Sequence, residues 1–288
     1  MKTTKTISTS LFCIAILGIS LNACKKDKTD KETDTSVAYD HALVDGSFND
    51  AQNIADQASE GSLVFYSPIS SNDPHLSNVT EKSSCATITS DTVSVPHTIT
   101  IDFGTTNCLC NDGKYRRGVI HVSYTDHYRD PGSIHIITFT DYFVNDNQLL
   151  GTKTVTNNGL NGAGNLTFTI TVDGQLIKAN NGGTVTWTSN RVREWTEGEA
   201  TPEWSDDVYL ITGSSSGTKT TSVGVTTNFT ATITTALKRA LNCHWFESGV
   251  VNVTPENHPT RIIDFGGGTC DDQATVTING TAHTITMN

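Results

Sequence analysis

The sequence predicts a mainly β protein: an antiparallel β-sandwich or curled multi-stranded sheet with one short N-terminal helix. Three observations carry this. From Cys85 onward, short runs in which apolar and polar residues alternate succeed one another, separated by polar turns. Threonine, glycine and asparagine dominate, and long helix-forming side chains are few. Only residues 44–58 place apolar side chains at spacings of three and four: Val44, Phe48, Ala51, Ile54, Ala55 and Ala58.

Taken in order, residues 1–23 read as a signal peptide. Lys2 and Lys5 precede an apolar run from Leu11 to Leu21 that is too short to span a bilayer. The run ends in Leu21-Asn22-Ala23-Cys24, which resembles the lipobox of bacterial lipoproteins. That resemblance implies cleavage before Cys24, a diacylglycerol thioether on its sulfur and acylation (palmitate) of the new amino group. At about 0.8 kcal/mol per buried CH₂, such chains hold a protein on a membrane without any spanning helix. Residues 24–36 then comprise the lipidated cysteine and a disordered tether, because Lys25 to Ser36 contains no apolar residue.

Residues 37–288 are expected to form one large β domain. The helix at 44–58, ended by Gly61, is expected to cover an open end or edge of the sheet. Val119–Thr125 and Ile134–Val144 form a hairpin across Pro131-Gly132. Leu149–Thr156, Leu166–Val172 and Leu176–Ala179 follow, with Asp173-Gly174 as a two-residue turn. Thr184–Trp195, Val208–Gly213, Val223–Ile233, Phe246–Val253, Arg261–Phe265, Ala274–Ile278 and His283–Met287 complete the strands, the last two joined by Asn279-Gly280.

Removing residues 1–23, which carry two lysines and no acid, leaves 17 basic against 30 acidic side chains, a net charge of −13. Such a chain is repelled by phosphates, which excludes nucleic acid as a partner. Export also favours disulfides. Two segments match, Ile101-Asp102-Phe103-Gly104…Cys108 and Ile263-Asp264-Phe265-Gly266…Cys270, each with an earlier cysteine, Cys85 or Cys243. The repeat pairs Cys85 with Cys108 and Cys243 with Cys270, leaving Cys110 as a free thiol. A zinc site from Cys108, Cys110 and His244 has no recognised spacing, so no metal or other cofactor is expected.

The chemical motifs fail their context tests. Gly213-Ser214-Ser215-Ser216-Gly217 has the hydrolase pattern G-x-S-x-G but lacks the helix that should follow the serine, and reads as a flexible turn. Asp102-Phe103-Gly104 matches a kinase triplet without its companions. His121, His127 and His135 share one hairpin, and whether they meet depends on register. The acidic turns at Asn111-Asp112-Gly113, Asn145-Asp146-Asn147 and Asp271-Asp272 lack the spacing of a calcium loop.

The most suggestive surface is Thr184–Trp195, where alternation puts Trp187, Arg191, Arg193 and Trp195 on one face. This is the candidate ligand face, a platform able to stack a sugar ring or hold an anion if exposed. The preferred reading is that the tryptophans belong to the core, with the arginines snorkelling at its edge.

The lipobox followed by Lys25-Lys26-Asp27, the Phe48-Asn49-Asp50 helix, the paired I-D-F-G…C segments, Arg193-Glu194-Trp195 and Cys270-Asp271 together resemble uncharacterised lipoproteins of the Bacteroidota envelope. The resemblance implies a lipid-anchored protein of the outer membrane, on its periplasmic or cell-surface face, and carries no catalytic residues. Asp91-Thr92-Val93 resembles the O-glycosylation sequon of that group. The expected function is a non-enzymatic envelope lipoprotein, a structural or interaction module touching an envelope protein or a cell-surface polysaccharide. The alternatives are a carbohydrate-binding lipoprotein using the Trp/Arg face and a hydrolase.

Overall fold

The computed structural model describes residues 32–59, 85–110, 112–201 and 203–287. The signal peptide, Cys24, most of the expected tether and Gly61 lie outside them. Among the described residues, one α-helix, α1 (Ser36–Ser59), precedes fourteen strands, with a single 3-10 turn at Trp204–Asp206. These are β1 (Thr87–Asp91), β2 (His97–Asp102), β3 (Cys108–Leu109), β4 (Tyr115–Tyr124), β5 (Ile134–Val144), β6 (Asn147–Leu160) and β7 (Leu166–Ile177). They continue as β8 (Thr184–Glu197), β9 (Val208–Thr220), β10 (Thr226–Ala240), β11 (Ser248–Pro255), β12 (Arg261–Gly267), β13 (Gln273–Ile278) and β14 (Thr281–Thr286).

Strands pair in chain order as one antiparallel meander, with the short β3 set aside on β4. The sheet curls without closing into a barrel. Tight hairpins drive this order. Asn145 and Asp146, both at positive φ, join β5 to β6, and Asn279-Gly280 joins β13 to β14 in the same manner.

The helix, expected to cover an open end or edge of the sheet, lies inside the curl instead. It touches β2, β4, β5, β6, β8 and β11, and 17 of its 24 residues are buried. Its apolar stripe joins Val44, Phe48 and Ile54 to Ile101, Ile120, Leu176, Trp187, Val251 and Val276 in one core. Asp40, His41, Asp45, Asp50 and Gln52, on its other faces, are buried too. The helix starts eight residues before the expected stripe because Asp34 Oδ1 accepts the Ser36 N–H at 2.8 Å and caps it. The described chain is already tied down at Glu32, inside the expected tether. Glu32 Oε2 meets His258 Nδ1 at 2.9 Å, and Arg261 donates to the Asp34 carbonyl at 3.2 Å.

Two expected turns are strand interiors. Asp173-Gly174 sits within β7, where a Cβ on Gly174 would come 2.2 Å from Phe48 Cζ. The glycine is there to admit the helix's phenylalanine, not to reverse the chain. Gly213 to Gly217 runs through β9, and a Cβ on Gly217 would lie 2.6 Å from the Phe229 ring.

The paired I-D-F-G…C segments are equivalent staples near opposite ends of the strand order. Ile101 and Ile263 are wholly buried, and Phe103 and Phe265 point inward. Asp102 Oδ1 accepts the Gly104 N–H at 2.7 Å, and Asp264 Oδ1 accepts the Gly266 N–H at 2.9 Å. Disulfides Cys85–Cys108 and Cys243–Cys270 are present, with Cys110 free and buried. The bridged Cys108 cannot serve as a zinc thiolate.

Candidate functional site

The Trp/Arg face of β8 is not exposed. Trp187, Arg191, Arg193 and Trp195 are 2, 4, 4 and 2 % exposed. The curl turns this face onto the helix, which supplies a stacking partner for Trp187 and carboxylates for both arginines. Trp187 stacks on Phe48 with centroids 5.7 Å apart. Arg191 Nη2 donates to Asp45 Oδ2 at 3.2 Å, and Arg193 Nη2 to Asp56 Oδ2 at 3.0 Å. Trp195 Nε1 donates to Asp207 Oδ1 at 3.2 Å beneath the Arg129 guanidinium.

The two arginine pairs belong to a buried seam in which helical carboxylates meet cations of the strands and their connections. Asp40 accepts from Lys178 at 2.8 Å and lies 3.3 Å from Lys219. Asp50 binds Lys114 and Arg116, both at 2.8 Å, and Arg116 also grips Asp112 through two bonds of 2.7 and 2.6 Å. Burial alone would raise the Asp50 carboxyl, but the charges of Arg116 and Lys114 outweigh it and hold it well below the usual carboxylate range. Lys153 donates to the Phe48 carbonyl at 3.1 Å and to Asn49 Oδ1 at 3.0 Å; burial lowers its pKa to about 8, against the pull of Asp45 and Asp56. A cavity of about 730 Å³ opens beside the helix; Asp40, Asp50, Asp112, Lys114, Lys178 and Lys219 of this seam line one part of it, and residues outside the seam, Trp245 and Phe265 among them, line the rest.

Ser215, the serine of the G-x-S-x-G match, comes within 3.2 Å of His41 Nε2 and 3.4 Å of Arg191 Nη2. Both Ser215 and His41 are buried, and neither lines either of the two large cavities. His41 Nδ1 has no hydrogen-bond partner among the described residues, so no carboxylate orients the ring as a catalytic base requires. Burial pushes the His41 pKa down to about 4.

The hairpin histidines do not converge. His135 is buried between Tyr124 and Tyr128, whereas His121 faces outward to the Thr140 hydroxyl at 3.0 Å and His127 is exposed. Among the described residues, no group of three or more potential metal ligands comes together. Thr92 is exposed in the turn after β1.

The open site is on the outer face, which sequence reasoning did not single out. A groove of about 1340 Å³ crosses β6 to β11. Its floor follows one row of paired residues: Gly151, Gly174, Trp187, Gly217, Phe229 and Pro255. Three of these six inward positions are glycine, so little side chain holds the sheet off the core and its outer surface dips. One wall is the adjacent row Thr152, Asp173, Thr188, Ser216, Thr230 and Thr254. The other contains Gln175, Thr186, Thr218, Asn228 and Glu256. Thr218 Oγ1 donates to Asn228 Oδ1 at 2.8 Å, and Asn228 Nδ2 donates to Glu256 Oε2 at 2.9 Å. The signal for this site is polar β-branched alternation, but only strand register aligns its glycines. Set beside protein-family models, curated proteins and solved structures, the chain matches none.

Proposed function

We propose that the protein is a lipoprotein of the bacterial outer membrane, held there by lipid on Cys24, whose β body is a non-enzymatic interaction module. Its contact is an envelope protein or a cell-surface polysaccharide. The Bacteroidota lipoprotein resemblance of Leu21-Asn22-Ala23-Cys24 and Lys25-Lys26-Asp27 supports the anchor. The observation that carries the module is the division of chemistry between the two faces of the sheet. Inside, carboxylates and cations are engaged with one another; outside, a groove presents hydroxyl, amide and carboxylate groups.

Fatty-acid labelling and membrane fractionation of wild type and Cys24→Ala test the anchor. The variant should lose both label and membrane retention; retention without Cys24 would overturn the lipid attachment. Affinity purification of the acylated protein from its native membrane should bring down one envelope component in stoichiometric amount. A hydrolase panel showing turnover that disappears in Ser215→Ala would replace the module reading by an enzymatic one.

A further inference from the structure

We propose that the outer groove binds a neutral, polyhydroxylated polymer, a glycan chain laid crosswise over β6 to β11. This rests on the interaction-module reading and names the class of its ligand.

The shape points to an elongated occupant. Six adjacent strands line the groove, and neighbouring strands lie about 4.8 Å apart, so its length is about 24 Å. A peptide adding itself as a strand needs an unpaired sheet edge. Here the strands on both sides of β7 to β10 are already paired, so their backbone groups are taken. Recognition must come from side chains.

Those side chains select by charge and by hydrogen-bond type. The lining contains no lysine or arginine, and its one histidine, His258, is bonded to Glu32. Asp173 and Glu256 add negative charge, which disfavours a sulfated or uronic polymer. Sugar hydroxyls both donate and accept, and the walls offer both functions: threonine and serine hydroxyls, the Gln175 and Asn228 amides, and the two carboxylates as acceptors. The floor, with glycine at three of its six positions, lets a sugar ring approach the backbone closely.

Part of the site is set before a ligand arrives. The Thr218–Asn228–Glu256 chain fixes the amide and carboxylate, and the Thr188 and Ser216 hydroxyls meet at 3.0 Å. Such ordering lowers the entropic cost of binding. Asp173 and Gln175, one on each wall of β7, make no side-chain hydrogen bond among the described residues and remain open to a ligand.

The test is affinity electrophoresis of the full-length protein in detergent, through gels containing neutral glucan, mannan or xylan, with alginate and heparin as anionic polymers. At least one neutral polymer should retard the wild type. Thr188→Trp, which fills the groove, and Asp173→Ala/Gln175→Ala should each weaken retardation at least about tenfold, the effect of losing hydrogen bonds of this kind. Thr171→Trp, exposed on β7 outside the groove, should leave it unchanged. Retardation only by anionic polymers, equal effects of Thr188→Trp and Thr171→Trp, or no retardation by any neutral polymer would each overturn the proposal. Loss of glycan binding alongside a captured envelope protein would leave the broader module reading standing.

Discussion

Phe48 of the helix occupies the space that a side chain at Gly174 would fill: an added Cβ would lie 2.2 Å from its ring. The ring cannot retreat easily, because Trp187 stacks on it and Phe139 meets its edge at 5.9 Å. The contact seats the helix inside the sheet and places a glycine in the floor of the outer groove.

Gly174→Ala should therefore destabilise the protein by about 1–3 kcal/mol through overpacking. Phe48→Leu alone should also destabilise it, by loss of buried apolar area. The double variant should be more stable than the sum of the two predicts, since each relieves the other. Urea unfolding of the four proteins measures the coupling; strict additivity would mean that the ring and the glycine do not constrain each other.

Arg116 is wholly buried between Asp50 and Asp112. Arg116→Met leaves buried Asp112 without its cation and Asp50 with Lys114 alone, which should cost about 3–5 kcal/mol. Arg116→Lys keeps the charge but not the two-pronged geometry, and should fall between Met and wild type. Chemical denaturation reads this order, and a lysine variant as unstable as the methionine one would assign the effect to packing.

Acid should weaken the fold from near pH 6.5, well before carboxylates titrate. Buried His41 and half-buried His244 stay neutral down to about pH 4 in the folded protein, whereas unfolded histidines take up protons near 6.5. Over that interval the unfolded chain binds more protons, so stability falls with pH. His41→Leu should flatten the decline by about 1.4 kcal/mol per pH unit at most. Asp50, with its pKa depressed, contributes fully above the unfolded value of about 3.9 and loses that contribution only below it. At the other end, Lys153 releases its proton near pH 8 when folded and near 10.4 when unfolded. Stability should rise between these values, and Lys153→Met should remove the rise. Unfolding free energies measured from pH 4 to 10.5 check both arms.

The Cys243–Cys270 bridge spans 27 residues and Cys85–Cys108 spans 23. Replacing either pair by serine should lower stability by about 3 kcal/mol. Cys110 is 4 % exposed, and burial raises its thiol pKa, so native protein should resist alkylation at pH 7.5 while unfolded protein reacts. Rapid native alkylation would show that this site opens locally.

Much of the sheet was legible because alternation and turn chemistry are local. Ile134–Val144 appears with the bounds its pattern predicts, and Asn279-Gly280 makes its hairpin. The helical stripe was legible as well, but the helix's remaining faces were not. Asp40 and Asp45 look like solvated acids until Lys178 and Arg191 are brought against them from 138 and 146 residues away. The same blindness left open whether Trp187 to Trp195 faces solvent or core and turned Gly174 into a turn residue: each depends on what lies across the sheet.

Local pattern thus determined a β-rich body, its one helix and the two disulfide staples, since each is written in spacing along the chain. The curl of the sheet decided which face of every strand is inside. It buried the arginines against the helix, and by aligning Gly151, Gly174 and Gly217 across separate strands it created the groove. Register is a relation between two strands, and no single strand contains it.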